Sequence, residues 1–400
     1  MCNLKQVLDQ AKHICSIKEI VIANDLTKNI YEICKQYSND IFLVADENTV
    51  SFLNKSVLSK ISHLIIFGNS IASLDVVELV KNKAKNKELI VAFGSGTIND
   101  ICKYASYIEG KDYVSFPTAA SMNGYTSTNA SILVNGKKNS FKAHLAKAIY
   151  IDIGIIANSP SRLTLSGFAD FICRSTVQAD WLLSHLLLNT EYNTLPFTLI
   201  YEMEQILLRE YIGLAKNDIE TVLILMEALL ISGIGMVISG GSYSASQGEH
   251  IIAHAIEMIT EDYSLLHGEK IAVTSITMAN LQEKILSMRN LNFKSFSTDI
   301  QSVKKYFNTK ECIQIFEQKQ IIQQKVKKII HQKWEDISFA IKQNLLHVEH
   351  LQKIFTELSI PHLPEHLGWN KDQYHEIVSL AFATRDRFTF LDLANFVETS

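Results

Sequence analysis

The first 150 residues alternate short, unbroken apolar runs rich in β-branched side chains with stretches of helical periodicity, and nothing else in the chain restricts its fold as much. Candidate strands are Glu19–Ala23, Ile41–Ala45, His63–Phe67, Leu89–Phe93 and Tyr113–Phe116, with helical patterns such as Lys28–Tyr37 and Leu74–Lys85 in the intervals. Strand, helix, strand in repetition is the signature of a parallel sheet. Runs that are apolar throughout, rather than alternating, imply burial on both faces. A hairpin-like excursion follows, Asn129–Val134 and Lys137–Phe141 around Asn135-Gly136, and Ala148–Asp152 reads as one more strand.

After Asn158-Ser-Pro-Ser the texture changes to helix, with periodic stretches Leu165–Leu188, Ile200–Tyr211, Ile219–Ser239, His250–Ile259 and Glu269–Met288, and a helical remainder to Asn395. The expected architecture is therefore α/β plus all-α: a Rossmann-like domain over 1–158, an all-helical domain over 159–400, and the active site in the cleft between them. Four hundred residues suffice for two such cores.

Two places carry chemistry. Strand Leu89–Phe93 runs into Gly94-Ser95-Gly96-Thr97-Ile98-Asn99-Asp100 and then a helix. That turn aims backbone N–H groups and a helix dipole at an anion, and glycine leaves room for a pyrophosphate to approach. It is not the GxGxxG fingerprint, and a plain strand-to-helix turn would look the same. Asp46, at the end of the second strand, is placed to accept from an adenosine ribose hydroxyl or to serve as an ordinary turn aspartate. The hydroxyl-rich loop Phe116–Ser127 suits contacts to a diphosphate and a nicotinamide.

The second place is Ser246-Gln-Gly-Glu-His250-Ile-Ile-Ala-His254, followed by His267-Gly-Glu269. His250 and His254 are four apart and share a helix face, while His267 opens the next helical run. Such imidazoles can converge on one divalent cation, with Glu249 and Glu269 as supporting groups or plain surface acids. The other histidines carry less: His13, His144 and His185 read as structural, and His347, His350, His362, His366 and His375 as a solvated scatter.

Gly94–Asp100, Pro117-Thr-Ala-Ala-Ser-Met-Asn-Gly-Tyr125, Gly167-Phe-Ala-Asp170, Ser246–His250, His267–Glu269 and the tail Arg385-Asp-Arg-Phe-Thr-Phe-Leu-Asp392 occur in one order over roughly residues 40 to 395. Together they resemble the sn-glycerol-1-phosphate dehydrogenase family, within the superfamily of iron-containing alcohol dehydrogenases, glycerol dehydrogenases and dehydroquinate synthases. The resemblance implies a dehydroquinate synthase-like fold and NAD- or NADP-linked interconversion of glycerol 1-phosphate and dihydroxyacetone phosphate on one divalent metal. It implies Asp170, His250 and His267 as metal ligands and His254 as a catalytic, substrate-contacting group. Cofactor contacts would come from Gly94, Ser95, Gly96, Thr97, Ile98, Asn99, Asp100, Thr118, Ala119, Ala120, Ser121 and Ser127, with Asp46 as the ribose acid. A carboxylate at the first metal position, aspartate rather than glutamate, favours the dehydrogenases over the sugar-phosphate cyclases. Zinc, iron, nickel or manganese all suit this donor set.

Two departures stand out. Asn123 occupies the position of the family's substrate-binding aspartate, where an amide can hydrogen-bond but not carry charge. Tyr243-Ser244 stands where Arg-Pro is usual. These keep other readings open: a related glycerol, polyol or alcohol dehydrogenase, or a non-catalytic binding homologue. Lys137, Lys138 and Lys142 in the hairpin are candidate phosphate partners.

A net charge of −4 argues against a nucleic-acid-binding face. Six scattered cysteines without a CxxC motif point to reduced thiols. The N-terminus lacks a signal-peptide core, and Glu227 in the apolar stretch Val222–Ile238 argues for a buried helix over a membrane span. A cytoplasmic enzyme acting on a small triose or glycerol phosphate is expected, its product suited to lipid synthesis and its apolar helical domain suited to a homo-oligomer.

Overall fold

A computed structural model describes residues 4–68, 71–134, 137–260, 264–294 and 298–398. Two compact units emerge, and they are interleaved in sequence: Met1–Phe171 with Thr198–Ile238 form the first, Ile172–Phe197 with Ser239–Ser400 the second. The boundary expected at 158/159 marks the change from sheet to helix, but compactness breaks elsewhere.

The first unit is built on strands β1 (Glu19–Ala23), β2 (Ile41–Asp46), β3 (Ser62–Ile66), β4 (Leu89–Gly94), β5 (Asp112–Pro117) and β8 (Ala148–Asp152), in the spatial order β1-β8-β5-β4-β2-β3. Every pairing in this sheet is parallel. β2, β4 and β8 are buried almost residue for residue while the edge strands are partly exposed, which is why the central runs read as continuously apolar. β6 (Asn129–Val134) and β7 (Lys137–Lys142) form the expected antiparallel hairpin. Its Asn135-Gly136 turn lies outside the described residues. Helices α1 (Leu4–Ala11), α2 (Ile30–Lys35), α3 (Lys55–Leu58), α4 (Leu74–Lys83), α5 (Gly96–Ile108), α6 (Ile153–Ala157) and α7 (Ser161–Ile172) fill the connections.

The chain runs from β2 outward to edge strand β3 and returns to β4 on the other side of β2, then continues through β5. The carboxyl ends of β2 and β4 therefore flank a topological switch point, the place where open α/β sheets bind ligands.

The helical stretch expected over Leu165–Leu188 is two helices, α7 and α8 (Arg174–Leu188). The Thr176 hydroxyl donates to the Cys173 carbonyl at 2.8 Å, taking up an acceptor at the junction. α9 (Leu195–Glu210), α10 (Ile212–Ala215) and α11 (Ile219–Ile238) follow. By length and composition α11 could cross a bilayer, yet 67% of its apolar 18-residue window is buried inside the protein. Burial pushes the Glu227 carboxyl on it above its ordinary value.

The second unit packs α8 with α12 (Gly248–Thr260), α13 (His267–Ser287), α14 (Ile300–Tyr306), α15 (Lys310–Lys342), α16 (Val348–Glu357), α17 (Lys371–Ala381) and α18 (Phe390–Ala394). Its core runs through Leu183, Ile252, Ile256, Met278, Phe316, Trp334, Phe382 and Phe390. The five described cysteines are buried.

Candidate functional site

In the first unit the switch point brings Asp46 and the glycine turn together. β2 and β4 pair with Ala45 opposite Phe93, and the Thr49 hydroxyl lies 2.9 Å from Asp46 Oδ1 and 3.3 Å from the Phe93 carbonyl. Asp46 Oδ1 also accepts from the N–H groups of Asn48 and Thr49 at 3.0 and 2.8 Å. Its turn role is thus real, and it uses one of the two carboxylate oxygens.

The turn divides its residues between two jobs. Ser95, Gly96 and Thr97 are half-exposed, and the Ser95 side chain does not cap α5, so the helix start faces outward. Ile98, Asn99 and Asp100 are buried. Asn99 Oδ1 accepts from Ser115, and Asp100 Oδ2 accepts from the Ser131 N–H at 3.0 Å. The early turn, with its backbone N–H groups and the half-exposed Ser95 and Thr97, is the part that can meet an anion.

Lys103, one turn on, is fully buried and was not singled out by sequence. Its ammonium donates to the carbonyls of Gly124 and Asn129 and sits 3.7 Å from Asp100. Burial lowers its pKa, and Asp100 opposes that. Ser127 is spent on the same cluster, donating to Gly124 and Asn129 carbonyls at 3.1 Å. Lys103 thus fixes the far end of the 117–127 loop.

The near end is fixed by Thr118 N–H on the Gly94 carbonyl and by the Tyr125 hydroxyl on the Ala119 carbonyl, 2.9 Å. Ala119 and Ala120 are buried, and Ser121 lies 3.2 Å from the Tyr125 hydroxyl. Gly167 of α7 packs on this loop so closely that a Cβ would fall 2.0 Å from the Ala120 carbonyl oxygen. Gly233 of α11 does the same to the Asn123 carbonyl, at 2.3 Å. Asn123 is half-exposed and makes no capping bond. Asp170 follows Gly167 on α7 and is buried.

In the second unit the three histidines cluster. Ring centroids of His250 and His267 are 5.1 Å apart, and His254 lies 6.3 and 6.2 Å from them. His250 Nε2 and His267 Nε2 approach to 3.3 Å. Two imidazole nitrogens at 2.0–2.1 Å from one tetrahedral zinc would stand about 3.4 Å apart, so the pair already has the spacing of ligands sharing an ion.

The supporting groups are built in. Glu249, with no solvent exposure, accepts on Oε1 from His250 Nδ1 and the Gln247 N–H, each at 2.8 Å, and on Oε2 from Thr176 at 3.1 Å. Holding Nδ1–H leaves Nε2 of a neutral His250 as a lone pair. Cys173, Glu249 and His250 also place donor atoms within 4.8 Å of one another, but these bonds commit both Glu249 oxygens to support. Glu269 Oε2 accepts from the Leu266 N–H at 2.9 Å, fixing the helix start that carries His267.

His254 is more accessible, its side chain 37% exposed, and its Nδ1 meets Glu257 Oε2 at 3.1 Å. Glu257 is buried with Lys270, whose ammonium donates to Oε1 at 2.8 Å. Asp180, also unforeseen, anchors the start of α12 by accepting from Gly248 N–H at 3.0 Å and Phe390 N–H at 2.9 Å. Burial and the Glu249 charge hold its pKa far above the carboxylate range.

Comparisons with known proteins bear on this geometry. Residues 21–160 match the family model of iron-containing alcohol dehydrogenases. A glycerol-1-phosphate dehydrogenase [NAD(P)+] of Sulfurisphaera tokodaii is 34% identical over 279 residues, 68% of this chain and 79% of that protein. Its counterpart from Pyrococcus furiosus is 30% identical, over 72% and 82% respectively. The chain belongs to the glycerol-1-phosphate dehydrogenase family. The fold is shared with solved structures: sulfoacetaldehyde reductase of Bifidobacterium kashiwanohense superposes with a TM-score of 0.61 at 12% identity, covering 92% of this chain and 91% of the other.

In this member of the glycerol-1-phosphate dehydrogenase family, Tyr243 fills the segment before α12. Tyr243 lies under the guanidinium of Arg387, 4.5 Å from ring centroid to carbon, and stacks on Trp181. Of the hairpin lysines, Lys138 is half-buried and Lys142 exposed, and the side chain of Lys137 lies outside the described residues.

Proposed function

We propose that this protein interconverts sn-glycerol 1-phosphate and dihydroxyacetone phosphate with NAD or NADP, on one divalent cation held by Asp170, His250 and His267. The observation that carries the reading is the pair of imidazole nitrogens at 3.3 Å, with Glu249 fixing the tautomer of one. Membership of the family and the 68–72% coverage by the two relatives supply the substrate class. Asp170 is the proposed carboxylate ligand because it follows Gly167 on α7 in the family's order.

When bound, the cation supplies a Lewis acid for the carbonyl oxygen and the nicotinamide supplies the hydride. The chain's own residues do the rest. His254 donates Nδ1–H to Glu257, so its accessible Nε2 can take up a proton and, as the imidazolium, pass it to an oxygen formed on reduction. Lys270 pairs with Glu257 and fixes it, and through it the imidazole plane. The N–H groups of Ser95, Gly96 and Thr97 are proposed to receive the pyrophosphate, the free oxygen of Asp46 the adenosine ribose, and the Thr118–Ser121 loop the nicotinamide side. Asn123, neutral and half-exposed, suits a hydrogen bond to a substrate hydroxyl. The reaction is proposed to feed phospholipid assembly.

Metal-reconstituted protein should oxidise NADH or NADPH with dihydroxyacetone phosphate far faster than with glyceraldehyde 3-phosphate. Binding of NADH without turnover of any triose or polyol would sink the reading in favour of a non-catalytic homologue.

A further inference from the structure

The tail motif Arg385–Asp392 has no part in the chemistry above, yet the second unit invests a buried clamp in it. Lys319 of α15, almost without exposure, donates to the carbonyls of Phe382 and Arg387, each at 2.7 Å, so it ties both ends of one short segment. Asp392 neutralises it at 2.8 Å and caps Thr389. Between those anchors the backbone turns tightly, Arg387 N–H reaching the Arg385 carbonyl at 2.9 Å with Asp386 exposed at the apex.

The two arginines flanking that apex are both half-buried. Arg387 spends three of its five N–H donors: it lies over the Tyr243 ring and donates to the Ser242 carbonyl and hydroxyl and to the Ser246 carbonyl. It thereby ties the turn to the segment that opens α12, the helix carrying His250 and His254. Arg385 is different. Among the described residues no carboxylate pairs with either guanidinium, and none accepts a hydrogen bond from that of Arg385.

Two like charges side by side in a half-buried turn, pre-ordered by a lysine clamp, make a receptor for an anion. Electrostatics agree. Burial lowers the pKa of Arg385, and burial followed by the Arg385 charge brings Arg387 down to about 9. Glu249, which grips His250, acts on both arginines, so the turn lies within its field.

We propose that Arg385, seconded by Arg387, is the specificity-determining group that receives the phosphomonoester dianion of the substrate. The assignment rests on the triose-phosphate reading. It favours the substrate over the 2′-phosphate of NADP, because the turn shares a unit with His250 and His254 while Asp46 and the glycine turn belong to the other. A planar guanidinium takes two phosphate oxygens at once, which an ammonium cannot match.

The test compares Arg385→Gln and Arg385→Lys with the parent in metal-loaded protein. The kcat/KM ratio of dihydroxyacetone phosphate to dihydroxyacetone should fall on the order of 100-fold in Arg385→Gln and be partly recovered in Arg385→Lys. KM values for NADH and NADPH should stay level with each other. Metal content and thermal midpoint check that the variants fold. An unchanged ratio overturns the proposal, and a loss confined to NADPH reassigns the arginine to the cofactor. If the parent reduces neither ketone, the functional reading fails, and calorimetric titration with inorganic phosphate decides the arginine separately: equal binding by parent and Arg385→Gln refutes it.

Discussion

Glu249→Gln isolates what a buried charge contributes to the imidazole pair. The amide keeps the size of the side chain, its oxygen can still accept from His250 Nδ1 and Gln247 N–H, and its –NH2 can donate to the Thr176 hydroxyl. What disappears is the negative charge. A hydrogen bond to a charged acceptor contributes ~1.5–3 kcal/mol against ~0.5–1.5 for a neutral one, so the change removes about 1–1.5 kcal/mol from the grip on His250. At ~1.4 kcal/mol per decade, metal affinity should fall roughly tenfold, the low end of the 10–100-fold seen when outer partners of metal-bound histidines are lost. Chelator competition with zinc or cobalt reads this directly, with His250→Ala as the reference for a lost ligand. Glu249→Ala should do worse and also lower the thermal midpoint, because two N–H donors with no route to water would lose their acceptor, each at ~1–3 kcal/mol. Folded Glu249→Gln that binds metal within about twofold of the parent would refute the reasoning.

Other expectations follow from the same contacts. Gly96→Ala places a Cβ 2.8 Å from the flexible end of Met122, so the fold should survive while NADH affinity falls; in Gly94→Ala the Cβ meets stiff Ile98 at 2.7 Å, and the thermal midpoint should drop. His254→Ala should lower kcat by ~10²–10⁴ while chelator-measured metal affinity holds, since this ring is proposed to handle a proton and not the ion. For Glu227 the folded pKa is raised, so folding is favoured at acid pH and weakens as pH climbs from the ordinary carboxyl value through the raised one. Glu227→Gln should therefore be the more thermostable protein at neutral pH, with the gap closing on acidification; melting curves across pH would show it.

The sheet could be read from sequence because buried parallel strands leave an unmistakable trace: Ile41–Asp46 and Leu89–Gly94 are apolar at nearly every position. β3 slips by one residue, to Ser62–Ile66, because an edge strand has one weak face and Phe67 ends up 75% exposed. The histidine cluster was legible from spacing, since i and i+4 must share a helix face. The groups that hold it were not. Glu257 and Lys270 lie thirteen residues apart on different helices, and Lys319 sits in a glutamine-rich stretch of α15 that reads as solvated surface. Asp180 and Lys103 did leave a signal, a charge inside Ala179–Leu183 and inside Ile101–Ala105, where a lone ionic side chain must find buried partners.

The interleaving of the two units sets the order in which the protein can be made. A ribosome that has released residue 158 has delivered every strand of the sheet, yet α7 and the Thr198–Ile238 return that press on the 117–127 loop through Gly167 and Gly233 are still to come. Until Ile238 emerges, the loop that follows β5 lacks the α11 surface that presses on it, and it must wait through the synthesis of Ile172–Phe197, part of the other unit, to acquire it.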